Sequence, residues 1–401
     1  MKIFFFGNVN NYPLILAKEL KKKGHEVIFF VDSNHKLFRP ENRYKQYAKK
    51  YPNWIIDISF LRNIKLLKRF NEFNKIIYKY GSPDLVILNG SVCDYFTNIK
   101  SDKFFLSTGS DIEEECSYLT AIKLFRNNLK RSFFIALFKL FRKIILVKRQ
   151  RAIFKSCKGF SFFDKNIFKK SEKIFNSFNK LPKRFNFRLA DLSDKTYSII
   201  KPKKYEKIDT IKIVCMARIN WVEKSMVNTY SSHLDNKCID ILIKGVAKFV
   251  NEHKGNVELT LFEKGNQIYE TKKLIKKLRI ENNIVWEKEV DQIALAKYYK
   301  YSDLIADQFN SNAVMGTAAL NGMLASRPIL ANNKVESCIL NNKFKNPNIT
   351  ISKPNDLANY LKRIKDNPKI LEIIAKKGKT FVEKNHSPAL IADILLNFYF
   401  R

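Results

Sequence analysis

The sequence predicts two doubly wound α/β domains in series. Three observations carry this. The chain has 401 residues, more than one ordinary core holds, since domains run roughly 100–200 residues. Short apolar runs alternate with amphipathic stretches in both halves, the pattern of parallel strands and crossover helices. The alternation breaks once, over 196–210, a polar, basic segment containing Pro202.

In the first half, Ile3–Phe6 is a buried strand ending at Gly7. Pro13 opens a helix bearing Leu14, Ile15, Leu16, Ala17 and Leu20, because its fixed φ suits a first helical turn. Gly24 stops that helix. Val27–Val31 is the next strand, closing a βαβ opening. Leu85–Leu88, Lys103–Leu106 and Gly159–Phe163 continue the strand series. In the second half the expected strands are Ile211–Met216, Val257–Phe262, Ile284–Trp286, Leu304–Ala306 and Pro328–Leu330. The expected helices are Ile239–Val250, Thr271–Leu278, Ile293–Tyr299 and Thr317–Leu324. Leu390, Ile391, Ile394, Leu395 and Phe398 make an apolar helical face in the last fifteen residues. The organisation expected is therefore 1–195, linker 196–210, 211–386, and a terminal helix 387–401 crossing back to the first domain.

Lys and Arg number 74 against 38 acidic residues, a formal charge of +36. Such a field attracts phosphorylated substrates, anionic lipid or nucleic acid; alternatively the excess lysine is surface composition in a chain rich in Lys, Asn, Ile and Phe. No nucleic-acid reading motif is present. The six cysteines form no CxxC pair and several lie in apolar runs, which fits a reducing cytoplasm and neither a disulfide framework nor a zinc site. The first residues, MKIFFFGNVNNY, lack the plan of a signal peptide, and no apolar stretch reaches membrane-span length. A cytoplasmic protein, peripheral at the inner face of the membrane, is the expectation. No P-loop or GxGxxG occurs, which disfavours an ATPase or a nicotinamide enzyme. The five histidines are scattered, and no Ser/His/Asp or Cys/His set stands out.

Ligands of open parallel sheets sit beyond the C-terminal strand ends. Arg218 follows the first strand of the second half, and its planar fork suits a diphosphate. Lys237 stands before a helix, where a cation repels the dipole unless an anion is bound there. Gly265 marks a strand-to-loop turn. Asp307 ends a strand, and Gly316 with Thr317 opens a helix whose N–H groups suit phosphate. In the first half Gly7, Asn8, Thr108 and Asp111 follow strand ends. Ser110 and Glu113 fit a capping box.

These segments resemble the group 1 glycosyltransferases over nearly the whole chain. KIFFFGN…LAKELKKKGHEV looks like their first strand, loop and helix, and STGSDI resembles their His-Gly-x-Asp segment. ARINW and NKCIDILIKGVAKF look like their Arg…Lys-Gly-x-Asp donor segment, and GTAALNGMLASRPIL like the helix after the donor loop. The resemblance implies the GT-B architecture, two Rossmann-like domains facing a central cleft. It implies sugar transfer from a nucleotide diphosphate donor to a cell-surface glycan or lipid-linked acceptor, with no cofactor and no essential metal. Arg218 and Lys237 would hold the diphosphate, with Gly265, Asp307, Gly316 and Thr317 also at the donor. Asn321 and Asp111 would be catalytic, and Gly7, Asn8 and Thr108 would line the acceptor side. Departures from the family are Thr108 for histidine, Cys238 for the glycine of Lys-Gly, and Ala313 and Asn321 for a pair of glutamates. They keep a second reading open: a catalytically weakened nucleotide-sugar-binding scaffold of a glycan assembly complex. An epimerase on the same fold is a further alternative.

Residues 117–155 contain no acid and combine an apolar stripe (Phe134, Leu137, Phe138, Phe141, Ile145) with many cations. That composition suits a basic amphipathic helix on an anionic membrane; a helix packed on its own sheet is the alternative. Lys139, Arg142 and Lys143 are the cations expected to matter most.

Overall fold

The computed structural model describes residues 1–35, 38–63, 66–90, 96, 99–108, 110–161, 169–178, 183–185, 190, 192, 195–221, 236–311, 315–332 and 347–400. It divides into two compact units, Met1–Leu189 with Ile391–Arg401, and Ala190–Leu390.

The first unit runs β1 (Lys2–Phe6), α1 (Tyr12–Lys22), β2 (Glu26–Val31), β3 (Ile55–Asp57), α2 (Leu66–Tyr80), β4 (Leu85–Asn89), β5 (Asp102–Leu106), α3 (Ser110–Glu113), α4 (Tyr118–Leu129), α5 (Phe133–Ser156), β6 (Gly159–Ser161), α6 (Lys169–Asn176) and β7 (Lys183–Phe185). Its sheet is parallel, in the order β3-β2-β1-β4-β5-β6-β7. A parallel sheet covered on both faces needs continuous apolar strands, and phenylalanine supplies them. Phe5 of β1 pairs in register with Phe29 of β2 and stacks on it at 5.9 Å. Phe6 meets Phe73 of α2 and Phe96 edge-on, at 6.0 and 5.3 Å. Pro13 lies in the first turn of α1, as expected. The expected strand to Phe163 is described only to Ser161; Phe162 and Phe163 lie outside the described residues.

The second unit runs α7 (Lys195–Ser198), β8 (Ile211–Cys215), α8 (Ile239–His253), β9 (Val257–Phe262), α9 (Ile268–Leu278), β10 (Ile284–Glu287), α10 (Leu295–Tyr301), β11 (Leu304–Ala306), α11 (Thr317–Leu324), β12 (Ile329–Ala331), β13 (Ile349–Thr350), α12 (Pro354–Asp366) and α13 (Ile370–Asn385). Its sheet is also parallel, in the order β10-β9-β8-β11-β12-β13. Residues 196–210 are docked on this unit: Tyr197 is buried, the Tyr205 hydroxyl donates to Asp303 at 3.1 Å, and Lys203 pairs with Asp303 at 2.8 Å. The last helix, α14 (Pro388–Phe400), belongs from Ile391 onward to the first unit. There Phe398 packs edge-on against Phe104 at 5.9 Å, and Lys23 pairs with Asp393 at 2.8 Å.

Two glycines separate conformational from steric need. Gly7 and Gly24 both have left-handed φ, +85° and +89°. A Cβ on Gly7 would lie 1.9 Å from the Asn89 carbonyl oxygen, whereas one on Gly24 would meet nothing within 4 Å. Gly24→Ala should cost only the left-handed term, about 1–2 kcal/mol. Gly7→Ala should cost clearly more, because β1 and β4 must separate. Urea unfolding of the two variants measures the difference; equal losses would mean that the close approach carries no energy.

Candidate active site

The order of a doubly wound sheet reverses at one point, and the loops leaving the strands there diverge to leave a crevice. In the second unit that point is between β8 and β11. Four chain segments leave or approach this edge.

The β8 exit lies against the β9 exit. The Ile219 N–H donates to the Lys264 carbonyl at 2.7 Å, and the Gln267 N–H to the Ile219 carbonyl at 3.1 Å. Gly265, φ +129°, permits this contact, since a Cβ there would fall 2.5 Å from the Ile219 oxygen. Asn220 reinforces this contact and ties in one more segment. Its side-chain oxygen accepts the Asn266 N–H at 2.9 Å, and its carbonyl accepts the Lys237 N–H at 2.6 Å. Arg218 stands exposed on the same loop. Beneath it, burial and then the Asp307 charge push the Cys215 thiol up to about 12, so that this cysteine stays an inert core residue.

Lys237 reaches the β11 exit. Its Nζ donates to Gln308 Oε1 at 2.8 Å, and its carbonyl accepts the Phe309 N–H at 2.9 Å. The next residue, Cys238, is left-handed, φ +50°, at the cap of α8. This is where the resembling family has glycine, and the conformation gives the physical reason for it.

At the β11 end, the buried Asp307 carboxylate accepts the Gly316 N–H at 2.9 Å. A Cβ on Gly316 would lie 2.8 Å from Asp307 Oδ1. The glycine is therefore small for the carboxylate's sake. Its N–H, expected to meet a phosphate, is spent inside the unit. A carboxylate is also favoured there by the positive helix end. Asn321 is buried in α11, a little over one turn beyond Gly316. Ala313, the other expected glutamate position, lies outside the described residues.

In the first unit the order reverses between β1 and β4. Gly7 and Asn8 are at that point, but the Asn8 side chain serves the fold. The Asn8 amide donates to Asn11 Oδ1 at 2.8 Å and to the Phe38 carbonyl at 2.9 Å, and its oxygen accepts the Leu14 N–H at 3.3 Å. Asn89 spans the same edge, accepting the Val9 N–H and donating to the Leu106 carbonyl, each at 2.6 Å. After β5, the buried Asp111 carboxylate accepts the Thr108 N–H at 2.9 Å and the Ser107 hydroxyl at 3.3 Å. The Ser110 side chain of the expected Ser110–Glu113 capping box lies outside the described residues. Asp111 braces the turn, and Glu113 accepts the Ser171 hydroxyl at 3.1 Å. A buried carboxylate takes the nearest orphan donors, and those belong to Ser107, Thr108 and Ser171.

Residues 216–381 match the family model described as glycosyl transferases group 1. The whole chain is similar in fold to sucrose-phosphate synthase from Thermosynechococcus elongatus, with 14% identity and a TM-score of 0.56 over 100% of this chain and 98% of that one. It is similar to Anabaena HepE in complex with UDP and glucose, with 12% identity and a TM-score of 0.60 over 99% and 98%. A glycosyltransferase from Rickettsia africae gives 15% identity and a TM-score of 0.59 over 99% and 97%. Two parallel sheets flanked by helices and these likenesses make the fold that of the GT-B enzymes. Among curated proteins none matches the sequence.

Asn220, whose partners are distant in sequence, ties these loops together. Asn220→Ala should cost about 0.5–1.5 kcal/mol, the net worth of an ordinary hydrogen bond, since Asn266 is exposed and the Lys237 N–H keeps its backbone partner. Hydrogen exchange should speed up at Asn266 and over 263–267. Unchanged stability and exchange would show that the Asn220 tie is dispensable.

Proposed function

We infer that this chain is a glycosyltransferase of group 1, from a family match that falls on the unit whose strand-end edge carries Arg218, Lys237 and Asp307. The donor is a nucleotide diphosphate sugar bound at the β8–β11 reversal. That match on that edge is the observation that carries the reading. Arg218 and Lys237 supply positive charge to the diphosphate, and the α11 N-terminus at Thr317 adds the positive end of its helix dipole. As the bond from the anomeric carbon to the diphosphate breaks, negative charge grows on the departing oxygen. Cations already in place stabilise it without reorganising. Gln308 steadies Lys237 for this role, and Gly265 sets the loop that carries Arg218. Asn321 meets a donor hydroxyl through its amide, which cannot act as a charged acceptor. Asp111 acts in the first unit by holding the turn of Thr108.

A uridine nucleotide is the first donor to test, since Anabaena HepE was solved with UDP and glucose. The acceptor is a cell-surface glycan or a lipid-linked chain, and the protein works in the cytoplasm, peripherally at the inner face of the membrane. A catalytically weakened, nucleotide-sugar-binding scaffold is the second reading, favoured by Ala313 and Asn321, where the resemblance implies a pair of glutamates.

Arg218→Ala and Lys237→Ala should each weaken donor binding by about 1.5–3 kcal/mol, the range for a hydrogen bond to a charged group. Calorimetric titration with UDP-sugars measures this, and unchanged thermal midpoints without ligand establish that the fold is intact. Unaltered affinity in both variants would remove them from the donor site. Release of nucleotide diphosphate from a bound donor in the presence of acceptor separates the two readings. Slow but measurable release is the outcome expected of an enzyme with Asn321; donor binding with no release would leave the scaffold.

A further inference from the structure

Helix α5 is apolar on two opposite faces. At roughly 100° per residue, Ala136, Val147 and Phe154 fall on one side, and all three are fully buried. Phe154 stacks on Phe105 of β5 at 4.1 Å. Phe134, Phe138, Phe141 and Ile145 recur along the opposite side, within an arc of about 60°. They are 79%, 68%, 58% and 55% exposed. A helix at the surface of a soluble domain ordinarily has a charged or polar outer face, and a run of exposed aromatic rings marks an interaction site.

The surrounding charge has one sign. Residues 117–156 contain no Asp or Glu. Arg126, Lys130, Arg131, Arg142 and Lys148 are exposed. Lys139 and Lys143 differ: Lys139 donates to Asn128 Oδ1 at 2.7 Å, and Lys143 pairs with Glu115 at 2.7 Å. They lie toward the packed side and tie α5 to α4 and to the turn before it. Two of the three cations singled out by the sequence are thus structural.

We propose that the Phe134–Ile145 face of α5 docks on an anionic lipid bilayer. The three phenylalanines and Ile145 enter the acyl boundary, and Arg131, Arg142 and Lys148 meet the head groups. Among the described residues no helix is long and apolar enough to cross a membrane, so α5 lies along the surface. Charge selects the occupant. A second copy would bring the same cations against these, whereas anionic head groups complement them. This deepens the peripheral location proposed above and depends on none of the donor chemistry, so a failure here leaves the donor reading untouched.

Co-sedimentation of the full chain with vesicles tests it. Phosphatidylglycerol-containing vesicles should carry the protein down at low salt, and phosphatidylcholine alone should not. Added salt should weaken the binding by screening. Phe138→Ser with Phe141→Ser, and separately Arg131→Gln with Arg142→Gln and Lys148→Gln, should each lower partitioning at least about tenfold with the thermal midpoint kept. Lys143→Gln should leave partitioning within about twofold, because it removes only a paired charge. No binding to anionic vesicles at low salt would overturn the proposal, as would an equal loss from Lys143→Gln. It would also be overturned by a dimer in sedimentation that the Phe138/Phe141 variant dissolves without any change in lipid binding.

Discussion

The hydrogen bond from the Gly316 N–H to Asp307 sets the geometry of the second unit's strand-end edge. It brings the start of α11 against the end of β11, which only a residue without a Cβ allows. The same helix comes close to its sheet again at Gly322, where a Cβ would lie 2.6 Å from Ile329 Cδ1. Both glycines of GTAALNG thus serve the approach of α11 to the sheet, and the small residues between them let it seat. The helix start is thereby fixed beside β8, where Arg218 and Lys237 stand on loops tied together by Asn220.

That arrangement has an electrostatic consequence. A helix N-terminus can stabilise one nearby anion well, and here a carboxylate already occupies the first donor. A diphosphate on this edge therefore relies more on cations than on the helix start. Lys237 is suited to that because Gln308 and the Phe309 N–H hold both ends of it. Cys238 then accepts a left-handed backbone, at a cost of about 1–2 kcal/mol for a residue with a Cβ. The strain is maintained because Lys237 and α8 on either side are anchored.

Much of the fold was legible, and the reason is physical. Strands buried on both faces must be apolar throughout, so FFF in β1 and VIFFV in β2 announce themselves. The three-residue strands β3 and β7 are too short to carry a legible period. Gly265 was placed at a strand-end turn from sequence, and its contact with Ile219 explains the glycine. The site was less legible where a residue works at long range. Asn89, Asn220 and Gln308 read as ordinary loop polars, because their partners lie 80, 46 and 71 positions away. Asn8 and Gly316 were legible as special positions, but their polar groups turn inward. In α5, the sequence showed the apolar stripe and the cations; which cations were already paired required the packing of α4.

The central claim is that a nucleotide diphosphate binds where strand order reverses in the second unit. Hydrogen–deuterium exchange of the full chain with and without uridine diphosphate tests it most directly. The account predicts slowed exchange in 216–221, 236–239 and 316–319, with the exposed half of α5 unchanged. Saturating nucleotide that slows none of these segments, or protects only the first unit, would contradict it.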